Sequence, residues 1–191
     1  MAMPSPRSDH WTAADLDHMP DDGLRYEVLN GQLVVNAAPK PKHQWLIQSL
    51  FLALQPVVPA DMATLLGIGV LIGSDEPVPD LVVVTRPIDM ESRGVPAAQV
   101  QVAVEVVSKS TTFPDRMVKP VIYASAGIPH YWRFEINPFK GQLPGETLPV
   151  LFAYSLGSDG NYEQTHRISA GQPVKVSAPF EFTIETGSLL P

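Results

Sequence analysis

The chain has 191 residues, 45% of them hydrophobic and 17% charged, which suits one folded globular domain and argues against disorder. It has no cysteine, which excludes disulfides and thiolate metal sites and makes a cytoplasmic location the default expectation. Thirteen basic against 20 acidic residues leave a net charge of -7, which excludes a protein that coats nucleic acid by bulk electrostatics.

Residues 1–10 read as a tail with neither the basic nor the apolar region of a signal peptide, and residues 11–187 as a single domain. No apolar run approaches the roughly 20 residues that span a bilayer. Thr12 and Asp15 have capping-box spacing and open a short helix that ends near Met19 and Pro20. Arg25 to Leu29 and Gln32 to Val35 flank Asn30-Gly31, the signature of a hairpin closed by a type I′ turn. Pro41 suits the first turn of a helix reaching about Gln55, whose apolar residues lie nearly all round and predict a core helix. Ala63 to Ile72 predicts a strand with bulges or close approaches at Gly67, Gly69 and Gly73.

Pro77 to Thr85 and Val100 to Ser108 predict two further strands around a polar loop. The second, VQVAVEVVS, is a β-branched run broken only by Glu105, and such a run reads as a strand buried on both faces of a sheet. Pro114 to Ala126 predicts a helix stopped at Gly127, and His130 to Ile136 another strand. The proline- and glycine-rich Pro138 to Pro149 reads as a loop. Short strands follow at Leu148 to Leu156, Tyr162 to Ile168, Val174 to Ser177 and Phe180 to Glu185.

An ionised carboxylate inside a buried strand costs several kcal/mol unless a cation or donors compensate it. Glu105 therefore calls for a partner, either a salt bridge or a metal ion. Glu27 in RYEVLNG, Asp80 in PVPDLVVV and Lys119 after Glu105 complete a set suited to metal-assisted phosphodiester hydrolysis. Carboxylate oxygens are the ligands that Mg²⁺ and Mn²⁺ prefer, and an ammonium orients water and screens developing charge. Taken singly, each residue has an ordinary alternative. Asp80 would cap a turn, Glu27 would pair with a neighbouring arginine, Lys119 would be solvated, and His43 would belong to the buried stripe 43, 47, 50, 54.

The blocks WTAADLDHMPDDGLRYEVLNGQLVV, KPKHQWLIQSLFLAL, VPDLVVV and VAVEVVSKSTTFPDRMVKPVIYASAGIPHYWRFE, in that order, resemble the Uma-two family of putative restriction endonucleases, within the PD-(D/E)xK nuclease superfamily. The resemblance runs from about Trp11 to Glu135. It implies an α/β fold with a restriction-endonuclease-like core: a central mixed sheet flanked by helices, with extra C-terminal strands. It also implies DNA as substrate. By position it maps the family's acidic residues onto Glu27, Asp80 and Glu105, which become the implied ligands of Mg²⁺ or Mn²⁺. Its histidine falls on His43 and its helical lysine on Lys119, while Asp115, Lys119 and Tyr123 recur every four residues as one helix face requires.

Two features depart from the superfamily pattern. The residue two after the glutamate, where a strand lysine is usual, is Val107 here, so Lys119 or Lys109 must serve. Pro120 follows Lys119 directly, which predicts either a kink or a later helix start. A homodimer is expected because duplex cleavage needs two strand cuts. A catalytically degenerate binding or regulatory module is the alternative, and a hydrolase of small substrates would need an enclosed pocket. Residues 105–140, with three acids and five bases against six and two in residues 1–30, are where a phosphate-facing surface is expected.

Overall fold

The computed structural model describes residues 10–36, 38–108 and 112–191. Most of the predicted tail and the candidate Lys109 lie outside these. Among the described residues twelve strands and two α-helices follow one another: β1 (Arg25–Leu29), β2 (Gln32–Asn36), α1 (Pro41–Leu54), β3 (Met62–Leu66), β4 (Gly69–Leu71), β5 (Leu81–Thr85), β6 (Gly94–Pro96), β7 (Val100–Val107), α2 (Lys119–Ser125), β8 (His130–Glu135), β9 (Val150–Leu156), β10 (Tyr162–Ile168), β11 (Val174–Val176) and β12 (Phe182–Ile184). The fold is the expected α/β one. A six-stranded mixed sheet, in the order β10-β9-β8-β7-β5-β3, forms its centre.

β7 lies inside this sheet, antiparallel to β5 and parallel to β8. A parallel pair needs a crossover, and the segment carrying α2 provides it. The valines of β7 are buried on both faces, as the unbroken β-branched run predicts. Val102, Val104 and Val106 pack with Trp132 and Phe134 against α1, while Ala103 packs with Tyr131 and Tyr123 on the face toward α2. By the two-residue alternation Glu105 shares the Ala103 face.

Three expectations change in detail. The span Ala63 to Ile72 is two strands, not one: β3 ends at Leu66, and β4 leaves the main sheet to pair with the short β6. The break falls at Gly67, whose φ of +56° an L side chain rarely adopts. α1 is buried along one stripe only: His43, Leu46, Ile47, Leu50 and Leu54 face inward, whereas Trp45 and Leu52 are exposed. Pro77 to Pro79 precede β5 instead of belonging to it.

The helix around Pro120 shows how the chain accommodates a proline in its path. A π-helical turn, Pro114–Val118, precedes α2, so Pro120 falls in the first turn of the α-helix, where its missing N–H costs nothing. The Lys119 amide donates to Pro114 O, five residues back. The Tyr131 hydroxyl donates to Asp115 O and Arg116 makes two 2.7 Å bonds to Glu135, which pins the π turn onto β8. Among the described residues no helix is long and apolar enough to cross a membrane.

Candidate active site

Glu27 is delivered by the first hairpin. Asn30 and Gly31 take the left-handed conformations of the turn, with φ of +51° and +72°, and their amides donate to the Asp75 carboxylate. Val28 exchanges backbone hydrogen bonds with Glu76, which lays β1 against the segment leading to β5. Glu27 is then buried, not outward: Oε1 accepts from the Val78 amide at 2.6 Å and Oε2 from Asn36 Nδ2 at 2.7 Å.

Asp80 is positioned by the end of a strand pairing. Its amide donates to Val104 O at 3.0 Å, continuing the β5–β7 ladder by one step. There β5 starts while β7 runs on, and the Asp80 carboxylate takes the place of the missing strand by accepting from the Val106 amide at 2.8 Å. With Leu81 opposite Val104, this register sets Asp80 across from Glu105. His43 Nε2 lies 3.2 Å from Asp80 Oδ2, and Arg25 Nη1 lies 3.2 Å from Oδ1. Burial works to raise the Asp80 pKa, but the hydrogen bond and charge of His43, the charge of Lys119 and the Val106 amide outweigh it and hold the carboxyl below its ordinary value.

Lys119 gathers the rest. Its ammonium lies 2.9 Å from Glu27 Oε1, 3.0 Å from Glu105 Oε1 and 3.7 Å from Asp115 Oδ1. The Tyr123 hydroxyl, four residues on, donates to Glu105 Oε1 at 2.7 Å. Burial pushes Glu105 well up, helped by Asp115, Asp80 and Glu27 and opposed by Lys119. For Lys119 desolvation favours the neutral amine, yet the surrounding carboxylates win and the group stays an ammonium.

The sequence candidates Glu27, His43, Asp80, Glu105, Asp115, Lys119 and Tyr123 therefore converge on one site. Lys119 is 3% exposed, so it is not a solvated helix residue. The site opens on a cavity of about 400 Å³ that Asp80, Glu105, Asp115 and Lys119 help to line. Arg25 and Asn36 also line it, although the sequence reading did not single them out. The signal was present: alternation from Glu27 puts Arg25 on the same face, and the hairpin register sets Asn36 opposite Arg25. Arg116 and Arg133, in the segment expected to face phosphate, are instead paired with Glu135.

The donor set can be tested against a divalent cation. Four buried carboxylates, Glu27, Asp80, Glu105 and Asp115, surround Lys119, the one buried lysine among the described residues, with Arg25 half-exposed beside them. This is an excess of negative charge with oxygen-only donors. Among the described residues no three acidic or histidine side chains have metal-ligand spacing. Mg²⁺, however, is commonly held by one or two carboxylates, with waters and substrate phosphate filling the remaining positions. The pair Asp80 and Glu105 fits that ion.

The six-stranded mixed sheet, with α1 packed on one face and α2 on the other, defines an α/β protein, as the resemblance to a restriction-endonuclease-like core implied. Residues 13–187 match the Uma2 family, described as putative restriction endonuclease, and the chain belongs to that family. Among solved structures it is similar to a putative nuclease belonging to DUF820 from Anabaena variabilis ATCC 29413. The TM-score is 0.65 at 17% identity, covering 93% of this chain and 96% of that one, a likeness of fold. No curated protein matches the chain.

Proposed function

We propose that the protein is an endonuclease that hydrolyses DNA phosphodiester bonds with Mg²⁺ or Mn²⁺. The observation that carries this reading is the meeting of Asp80, Glu105 and Lys119 on one cavity. Asp80 and Glu105 would hold the cation, with Glu27 as a further ligand or partner of its water. When bound, such an ion lowers the pKa of a coordinated water and neutralises charge on the phosphoryl oxygens. Val106 N–H and His43 hold Asp80 in its ionised form. Tyr123 fixes the orientation of Glu105, and Asn36 that of Glu27. Lys119, kept protonated by its carboxylates, serves as a hydrogen-bond donor. It donates a hydrogen bond to the attacking water and screens charge in the transition state.

The test is cleavage of supercoiled plasmid and short duplexes in Mg²⁺ and Mn²⁺ by the wild type, Glu105→Ala and Lys119→Ala. Each substitution is expected to lower the rate by about 10²-fold or more. Cutting that survives both substitutions unchanged overturns the reading. One observation favours a second reading, a non-cutting binding module: the Lys119 ammonium sits between Glu27 and Glu105, and with the Val78 amide, Asn36 and Tyr123 it gives both carboxylates partners without a metal. Absence of turnover, together with a metal titration showing no Glu105-dependent site, would establish that alternative. A homodimer follows from the nuclease reading, since two strands must be cut. Sedimentation equilibrium of the protein with and without duplex tests it.

A further inference from the structure

The cavity is electrically divided. Its floor carries the buried carboxylates of Asp80, Glu105 and Asp115, while Arg25, Lys40 and Lys42 lie at its more exposed mouth. Arg25 uses only one of its three nitrogens: Nη1 donates to Asp80 Oδ1 and, at 3.4 Å, to Val78 O. Among the described residues Nε and Nη2 have no partner. Guanidinium presents five donors in a fixed fork, so a one-point contact leaves most of its bonding capacity available at the cavity. The Lys40 ammonium has no partner among the described residues either, and Lys42 is braced by a 2.6 Å bond to Ile136 O.

Placement on α1 supplies an independent argument. The positive end of a helix favours acids in the first turn, yet α1 has none there and carries Lys40 at its cap and Lys42 just inside. This local choice works against the helix, and such departures concentrate at functional sites. An anion at the mouth would turn the repulsion into attraction. It would also stay clear of the carboxylates on the floor, which repel it.

We propose that Arg25 and Lys40 form a phosphate subsite at the mouth of the cavity, holding a phosphate of the substrate beside the one that is cut. That the phosphate belongs to a nucleic acid rests on the nuclease reading; the tetrahedral oxyanion is what the cations themselves select. Arg25 supplies the paired donors that match two phosphate oxygens, and Lys40 supplies a point charge. Neither group takes part in bond breaking.

The experiment is fluorescence anisotropy with a labelled DNA duplex in Ca²⁺, over a series of salt concentrations, plus calorimetric titration with inorganic pyrophosphate. Arg25→Ala is expected to weaken duplex binding by about tenfold or more, the scale of hydrogen bonds to a charged group. Arg25→Lys is expected not to restore it, because an ammonium cannot reproduce the fork. Lys40→Ala, at an exposed position that leaves the fold intact, is expected to weaken binding and flatten the salt slope by about one unit. If Arg25→Ala fails to fold, the Lys40 arm decides alone. Plasmid cutting retained with unchanged duplex affinity and salt slope in both variants would overturn the subsite while sparing the nuclease. Pyrophosphate binding that both substitutions weaken, in a protein that neither binds nor cuts DNA, would uphold the subsite and sink the nuclease. Wild-type protein that binds neither probe sinks both.

Discussion

Glu105 carries a heavy electrostatic burden for a single residue. It sits 1% exposed in β7 among three other carboxylates, and burial is the first cause of its raised pKa. A carboxyl whose folded pKa is raised contributes stability that is full below its ordinary value of 4.5 and lost as pH rises through the folded value. Asp80, whose pKa is lowered, acts in the opposite sense and lower on the scale: its contribution is present above 3.8 and lost as pH falls through the folded value. Metal-free wild type should therefore lose stability as pH rises above 4.5. Glu105→Gln should lose much less, because its amide does not titrate. Urea midpoints of both proteins between about pH 5 and about pH 8 check this. Parallel pH profiles would mean that Glu105 is not the source.

At the scale of elements, α1 is the part most exposed to error in reading a sequence. Its apolar residues cover most of its circumference, yet only one stripe meets the sheet. Leu50 is fully buried and Leu52 is 61% exposed. Leu50→Ala should cost about 2–5 kcal/mol by chemical denaturation, the range for a large core side chain cut to alanine. Leu52→Ala should stay within about 0.5 kcal/mol. Equal costs would show that the exposed stripe is covered in solution. The π turn before α2 is the other local device. It moves Pro120 into a first turn and leaves Lys119, one residue earlier, buried against Glu27 and Glu105.

For the whole molecule, the site is where strand ends, a hairpin and two helical segments meet, so a ligand there should stabilise the entire fold. A cation that binds only the folded protein adds about 2.7 kcal/mol at a hundredfold excess over its Kd. Thermal unfolding with Mg²⁺ or Mn²⁺ against a chelator should show a raised Tm, and the rise should vanish in Glu105→Ala. An equal rise in the variant would place the ion elsewhere.

Much of the fold could be read from local sequence because local rules act strongly there. The Asn-Gly turn is one case, and the β-branched run of β7 and Gly127, with its φ of +75°, are two more. The acidic residues and Lys119 were identifiable as a set from their chemistry and order along the chain, which the family resemblance then reinforced. Their roles as neighbours were not, because each is ordinary in its own stretch of chain. Long-range facts lie beyond such reading: the split at Gly67 depends on β4 finding β6, and one-sided burial of α1 depends on where the sheet lies.

The sequence by itself determined the types and order of the elements, the buried inner strand and the candidate acids, because propensity, turn chemistry and hydrophobic period are short-range. Only the tertiary structure decided that Asp80 caps the β7 ladder, that Glu27 turns inward and that Arg25 and Lys40 share the cavity mouth. Those contacts join residues up to 92 positions apart, as from Glu27 to Lys119, and depend on strand pairing and helix placement that no local pattern encodes.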